Sequence, residues 1–140
     1  MGPVYQAGTL SGNPLGMAAG LAVLQEICRL GDALYHDLDA RTESLCAGLS
    51  GALRDASVPH AVQRCGSMFT VFFSDASVRS YADAARCDKT RFAKWFHAML
   101  EGGVYLPPSQ FESAFMSAAH GTEEIAATAE AARTAARILA

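Results

Sequence analysis

The 140-residue sequence has no apolar run that approaches the roughly 20 residues of a membrane-spanning helix. It also has no block of basic residues, and its 11 lysines and arginines are outnumbered by 14 acidic residues. Its charge therefore does not indicate a nucleic-acid or anionic-membrane partner. The first six residues, MGPVYQ, have neither the positive charge nor the apolar core of a signal peptide, so we expect a cytoplasmic protein.

Cysteine and histidine are sparse and scattered. The four cysteines are spaced too irregularly for a disulfide framework or a zinc pattern, so we predict reduced thiols at Cys28, Cys46, Cys65 and Cys87. The four histidines are dispersed as well, and no metal site is predicted. Lysine occurs only at Lys89 and Lys94, at the start of an amphipathic helical pattern. Both should be solvated cations, unlike the desolvated lysine that forms a Schiff base.

The residues that are present can build a core. About half of the sequence is hydrophobic, with 51% hydrophobic and 18% charged residues. A chain of about 150 residues buries roughly two thirds of the surface that it exposes when unfolded. The sequence therefore predicts an ordered α/β protein with a small antiparallel sheet covered by helices.

The first 30 residues differ in character from the rest. Asn13 and Pro14 are typical of a helix N-cap and first position, and the helix should run to about residue 30. This helix is apolar on all sides, which is typical of a buried helix. We therefore predict two parts: residues 1–30, an interface loop and buried helix that belong with a larger domain, and residues 31–140, a small domain.

Alternating helical and strand patterns follow in residues 31–140. Asp32 should cap a helix to about residue 56, and residues 61–64 and 68–73 should form two strands. Asp88 should cap a helix that ends at Gly102, and Thr122 should cap the last helix. Two further short strands are predicted at residues 104–106 and 114–118.

Two places are candidates for chemistry. In the loop 8–14, glycines allow close approach to a ligand, Thr9 and Ser11 offer hydroxyl groups, and a helix start attracts anions such as phosphate. The alternative is a capped loop with turn glycines. Glu112 is an isolated carboxylate between apolar residues, with an exposed turn residue as the alternative. His120 could line a site or form a structural hydrogen bond.

Three stretches resemble one family. They are GPVYQAGTLSGNPL at 2–15, GSMF at 66–69 with FF at 72–73, and the group FHAML (96–100), GVYL (103–106), PSQFE (108–112), FMS (115–117) and AH (119–120). All three are similar to the carboxy-terminal part of glutamate-1-semialdehyde 2,1-aminomutases. The resemblance covers nearly the whole chain. A shorter core, Gly-Thr followed by Gly-Asn-Pro, is shared with other class III aminotransferases.

The resemblance implies a pyridoxal-phosphate enzyme of fold-type I that acts as a homodimer with active sites at the subunit interface. Its reaction would convert glutamate-1-semialdehyde to 5-aminolevulinate, a tetrapyrrole precursor. Gly8 and Thr9 would bind the cofactor phosphate of the neighbouring subunit. Glu112 would match the family's active-site glutamate and interact with the substrate or the cofactor-bound intermediates.

The sequence departs from the family pattern at several positions. The usual FEAGF is FESAF here, so Ala114 replaces a glycine, and Pro107 replaces the usual alanine in LAP. Gly16 stands where alanine is common. The Schiff-base lysine belongs to the family's large domain, so we expect this chain to be inactive alone. The alternatives are another class III aminotransferase and a non-catalytic α/β module for dimerisation or binding.

Overall fold

The computed structural model describes residues 7–140, which form five α-helices and three β-strands. Residues 2–6 of the first family-like stretch lie outside this range. In chain order the elements are α1 (Pro14–Leu30), α2 (Asp32–Asp55), β1 (Ala61–Cys65), β2 (Met68–Phe72), α3 (Tyr81–Arg86), α4 (Lys89–Glu101), β3 (Ala114–Phe115) and α5 (Thr122–Leu139). The chain divides into two compact units. The first unit ends at Leu34 and the second begins at Tyr35.

The first unit contains helix α1, which begins and ends as predicted. The Asn13 side chain accepts a hydrogen bond from the Gly16 N–H at 2.8 Å, and Pro14 is the first helical residue. Gly31 ends the helix with a φ of 59°, a left-handed conformation that favours glycine. No residue of α1 is buried within residues 7–140. The predicted burial of this helix is therefore not found here, and burial by residues outside that range stays a prediction.

The second unit contains an antiparallel sheet in the order β1-β2-β3. Strands β1 and β2 form a hairpin in which Cys65 pairs with Met68, and Gly66 takes a φ of 56° in the two-residue turn. Strand β3 pairs with β2 over two residues only, with Phe69 opposite Ala114. The prediction of a small antiparallel sheet with helices is confirmed.

Strand β2 is apolar on both faces. Phe69 and Val71 belong to the main hydrophobic core, together with Phe73 just beyond the strand. Phe72 points to the other face, into a smaller cluster with Val78, Ala84 and Cys87. Because side chains alternate along a strand, this division follows from the sequence pattern, and the predicted two-sided burial of this strand is confirmed.

Helices α2, α4 and α5 supply the rest of the main core. The largest buried side chains are Trp95, Leu49, Leu53 and Met99, and the Trp95 ring meets Phe73 edge-on with centroids 5.9 Å apart. Helix α5 contributes mostly alanines: Ala131, Ala132, Ala135 and Ala136. A Cβ atom added at Gly102 would lie 3.0 Å from the Ala131 Cβ, so the glycine permits close helix packing.

One predicted strand and two predicted caps are wrong, and another predicted strand is shorter than expected. Residues 104–106 form no strand, because the Val104 N–H turns back to the Met99 carbonyl at 2.8 Å and closes the end of α4. Strand 114–118 is shortened to Ala114–Phe115. Thr122 is the first residue of α5, whose N-cap is Gly121, and Asp32 is the first residue of α2, so neither residue caps its helix from outside. No helix within residues 7–140 has the length and apolarity needed to cross a membrane.

The substitution Leu49→Ala should lower the free energy of unfolding by about 2–5 kcal/mol, because it opens a cavity at a fully buried position. Leu100→Ala is the matched control, since Leu100 is also helical but 44% exposed, and its cost should be below about 1 kcal/mol. Urea unfolding, followed by the fluorescence of the single tryptophan, measures both. Equal losses from the two substitutions would contradict the assigned core.

Candidate functional site

The predicted anion loop in the first unit is a pair of consecutive turns. The Ser11 N–H donates to the Gly8 carbonyl at 2.9 Å, and the Asn13 N–H donates to the Leu10 carbonyl at 3.2 Å. A Cβ atom on Gly8 would lie 2.7 Å from the Ser11 Oγ, so a larger residue would require the Ser11 side chain to turn away. Thr9 is exposed at the top of this turn. Gly8 and Thr9 therefore lie together, Gly8 as a turn former and Thr9 as an available hydroxyl.

The start of α1 has little capacity left for an anion. Pro14 has no N–H, and the Gly16 N–H already donates to the Asn13 side chain. The Met17 N–H donates to the Asn13 carbonyl at 3.0 Å. Among the first four helical residues, at most Leu15 offers an N–H to a ligand. A phosphate at this loop would therefore depend more on Thr9 and its turn than on the helix end.

The second unit contains an open cleft of about 450 Å³. Its apolar wall is formed by α2, by strand β2, by the segments that follow α4 and β3, and by α5. The residues are Leu45, Phe69, Val104, Leu106, Met116 and Ile125. Two carboxylates and one imidazole, from Glu112, Glu124 and His120, also line it. An apolar cleft with a few polar groups is the usual form of a small-molecule site.

Glu112 lies on a turn at the edge of this cleft. Its N–H donates to the Ser109 carbonyl at 3.1 Å, and its carbonyl accepts a weak hydrogen bond from the Thr70 hydroxyl at 3.4 Å. The turn is thereby linked to the central strand β2. The residue is exposed, so its carboxylate is accessible to a ligand. Glu112 is thus an exposed turn residue, as one of the two alternatives predicted, and its chemical role stays a prediction.

His120 lines the same cleft and is oriented by the loop before α5. Its Nδ1 accepts a hydrogen bond from the Ser117 N–H at 3.0 Å, so the neutral ring carries its proton on Nε2. The His120 carbonyl accepts from the Arg41 guanidinium at 2.9 Å. Arg41 in turn pairs with Asp37 at 2.7 Å. The loop is thus held against α2. His120 forms the predicted structural hydrogen bond and also lines the cleft, while a part in a functional site stays a prediction.

Glu124 lies in the first turn of α5 and also lines the cleft. Its carboxylate accepts a hydrogen bond from the Gly121 N–H at 2.8 Å. Its own backbone N–H, the Gly121 N–H and the nearby His120 together lower the pKa of the Glu124 carboxyl. The carboxylate therefore stays ionised at neutral pH and caps the helix.

Neither lysine has the surroundings of a Schiff-base lysine. Lys89 and Lys94 are both exposed, and the Lys89 ammonium lies 5.5 Å from the centre of the Phe111 ring. A lysine that forms a Schiff base is usually activated by a desolvated apolar pocket or by a neighbouring cation, whereas both of these side chains lie in solvent. These residues therefore do not fit the covalent attachment of an aldehyde cofactor.

The cysteines also offer no reactive centre in the core. All four are free, with Cys46 and Cys87 buried. Burial raises the pKa of the Cys46 thiol to about 11, which leaves it protonated and unreactive at neutral pH. Within residues 7–140 no group of three histidine, cysteine or acidic side chains is placed to hold a metal ion.

Comparison with known proteins identifies close relatives. The chain is 57% identical over 137 residues to the glutamate-1-semialdehyde 2,1-aminomutase of Deinococcus radiodurans, covering 96% of this chain and 31% of that protein. It is 54% identical over 134 residues to the enzyme of the same name from Anaeromyxobacter dehalogenans, with coverage of 96% and 30%. The chain thus spans about 30% of the length of the curated relatives it matches. No protein-family model matches it.

Solved structures share the fold. An ω-transaminase from Sphaerobacter thermophilus is 24% identical with a TM-score of 0.77, covering 97% of this chain and 30% of that protein. The FumI protein of Sphingopyxis sp. MTA144, solved in its pyridoxal-phosphate internal aldimine form, is 26% identical with a TM-score of 0.73 and the same coverage. A β-phenylalanine aminotransferase from Variovorax paradoxus is 27% identical with a TM-score of 0.71, covering 95% and 30%.

The substitution Glu124→Ala should lower the melting temperature by a few degrees at neutral pH, because it removes the carboxylate that caps α5. The folded pKa of Glu124 is lowered, so its contribution is complete above the unfolded pKa and is lost as the pH falls through the folded pKa. The difference between wild type and variant should therefore start to shrink as the pH falls below the unfolded pKa of about 4.3, and it should disappear only below the still lower folded pKa. Thermal melts across this range measure it.

Glu123→Ala is the control for this experiment, because Glu123 is a neighbouring exposed residue in the same helical turn. It should change the melting temperature less than Glu124→Ala. A pH-independent difference for Glu124→Ala would contradict the capping role.

Proposed function

Because this chain is a homologue of the carboxy-terminal part of glutamate-1-semialdehyde 2,1-aminomutases, we propose that it forms part of a pyridoxal-phosphate enzyme that converts glutamate-1-semialdehyde to 5-aminolevulinate, a tetrapyrrole precursor. The observation that carries this proposal is the 53–57% identity to enzymes of that name over 96% of the chain.

The residues present fit one end of pyridoxal phosphate and not the other. The turn of Gly8 and Thr9 offers an exposed hydroxyl on a tight backbone, which suits the phosphate. The exposed lysines do not suit attachment of the aldehyde. When bound in a complete enzyme, the cofactor supplies the electron sink for amino-group transfer. We therefore propose that residues 1–140 bind the phosphate and substrate but do not catalyse the reaction alone.

Glu112 is the residue of this chain that we assign to the substrate. Its carboxylate is exposed at a cleft with an apolar wall, where it can accept hydrogen bonds from an amino group. The substrate carries a carboxylate of its own, which Glu112 would repel. The charge of Glu112 thus favours binding with the amino end of the substrate toward this residue.

The assembly that we propose is a homodimer in the cytoplasm, with Gly8 and Thr9 serving the cofactor of the neighbouring subunit. Residues 1–30 would then belong with the larger domain of the complete enzyme, and residues 31–140 would form the small domain. The exposed apolar side chains of α1, among them Leu15, Met17 and Leu24, support this division, since each is more than half exposed in this chain.

The test uses a complete enzyme, defined here as residues 1–140 joined to the part of the Deinococcus radiodurans relative that they do not cover. It should convert glutamate-1-semialdehyde to 5-aminolevulinate without an added amine donor, at a rate similar to that of the unmodified relative. Colorimetric assay of 5-aminolevulinate measures it. A folded, cofactor-bound enzyme that instead needs an external amine donor would favour a different aminotransferase activity.

The isolated 140-residue chain is the companion sample. Titration with pyridoxal phosphate should give no saturable absorption band of a protein-bound aldimine. A saturable band that disappears in Lys89→Arg or Lys94→Arg would show that one of these lysines reacts, and the proposed inactivity of the chain would be wrong. If the chain is instead a binding module, it should sediment as a stable dimer without cofactor.

In the complete enzyme, Thr9→Val should weaken pyridoxal-phosphate binding by about 10- to 100-fold, because it removes one hydrogen bond to a charged group, worth about 1.5–3 kcal/mol. Thr9→Ser keeps the hydroxyl and is the control. Cofactor affinity is measured by fluorescence quenching during reconstitution of the apoenzyme. Unchanged affinity in Thr9→Val would remove the phosphate role from this residue.

A further inference from the structure

Two polar side chains are buried in the described part of the chain, Thr42 and Gln110. Thr42 is satisfied within its own helix, where its hydroxyl donates to the Leu38 carbonyl at 2.6 Å. Gln110 is only 3% exposed, and its Nε2 donates to the Ala84 carbonyl at 2.8 Å. Its Oε1 has no hydrogen-bond partner within residues 7–140. Burying an amide is unfavourable unless it is hydrogen-bonded, so a half-satisfied glutamine calls for a reason.

The position of Gln110 suggests that reason. It lies two residues before Glu112, inside the turn closed by the hydrogen bond from the Glu112 N–H to the Ser109 carbonyl. Phe111, Glu112 and Ser113 are all exposed, whereas Gln110 is buried. The Gln110 side chain is therefore the anchor that this turn inserts into the protein.

The group that receives this anchor is itself fixed. The Ala84 carbonyl lies in α3, and Ala84 is buried in the small cluster with Phe72 and Cys87. The same carbonyl accepts the Cys87 N–H at 3.2 Å, which closes the end of α3. The anchor thus ties the turn to a helix that packs against the sheet residue Phe72, and not to a free loop.

The neighbouring side chain strengthens the attachment to the same helix. The centre of the Phe111 ring lies 5.6 Å from that of the Tyr81 ring at the start of α3. The Lys89 ammonium lies over the Phe111 ring. Both of these contacts involve exposed residues, so they leave Gln110 as the buried link. On the other side of the turn, the Thr70 hydroxyl makes only the weak 3.4 Å contact with the Glu112 carbonyl.

We propose that Gln110 is a positioning residue, which holds the Glu112 carboxylate at the cleft through its hydrogen bond to the Ala84 carbonyl. The inference rests on the proposed role of Glu112 toward the substrate. A carboxylate on an exposed turn has many available positions, and an error of about 1 Å in a catalytic group can reduce the rate about 100-fold. One buried hydrogen bond from the Gln110 amide removes much of that freedom.

The kinetic test is a double-mutant cycle in the complete enzyme. Gln110→Met has nearly the same shape but cannot donate the hydrogen bond, and it should lower kcat about 10- to 100-fold with a smaller change in KM. In an enzyme that already carries Glu112→Gln, adding Gln110→Met should change kcat less than about twofold, because the residue acts through Glu112. If the two substitutions instead reduce kcat by independent factors that multiply, the proposal is wrong. It is also wrong if kcat is unchanged in Gln110→Met.

Thr42→Val is the matched control, since it also removes one hydrogen bond from a buried side chain but lies in α2, outside the Glu112 turn. It should lower the melting temperature and leave kcat within about twofold. Gln110→Asn keeps the amide and shortens the side chain, and it serves if the methionine variant does not fold. It should show the same dependence on Glu112.

A second measurement does not depend on the enzyme's activity. In the 140-residue chain, Gln110→Met should speed hydrogen exchange of the Glu112 backbone N–H at least about tenfold relative to wild type, while Thr42→Val leaves it unchanged. Unchanged exchange in Gln110→Met would overturn the anchoring. A complete enzyme without aminomutase activity but with the predicted exchange would reject the proposed function and keep the anchor.

Discussion

Strand β2 buries side chains on both of its faces, and the arrangement of the second unit depends on this. On one face, Phe69 and Val71 meet helices α2, α4 and α5 in the main core. On the other face, Phe72 meets the short helix α3 through Ala84 and Cys87. A helix of six residues has too few internal hydrogen bonds to be stable alone. Its packing against Phe72 therefore makes it a fixed point for the turn that carries Glu112.

Local signals in the sequence were sufficient for the four longer helices and the hairpin. The caps at Asn13 and Asp88 and the apolar run of β2 all depend on residues close in sequence, and the structure confirms them. The errors lie where distant or competing contacts decide. The Ser117 N–H donates to the His120 ring, so it cannot extend β3. The Val104 N–H likewise donates to the Met99 carbonyl of α4, so it is not available for pairing with a strand.

The candidate site was predictable only in part. Gly8, Thr9 and Glu112 were identified from the residue types around them and from the family resemblance. Their roles stay predictions. The cleft near Glu112 was not predictable, because its wall comes from residues as far apart as Leu45 and Ile125. Gln110 gave no signal of burial, since glutamine is usually exposed and its partner, Ala84, lies far away in sequence. The small number of free N–H groups at the start of α1 was also not predicted, because it depends on which of them donate to Asn13.

The buried face of α5 is made of alanines, and this has a consequence for how the protein can vary. Alanine loses no side-chain rotamer freedom on burial, so this interface forms at a low entropic cost. It also has no flexible groups that could make way for a larger neighbour, as the close approach of Ala131 to Gly102 illustrates. Inherited changes that enlarge these positions would therefore reduce how much folded protein a cell maintains, while leaving the chemistry of each surviving molecule intact.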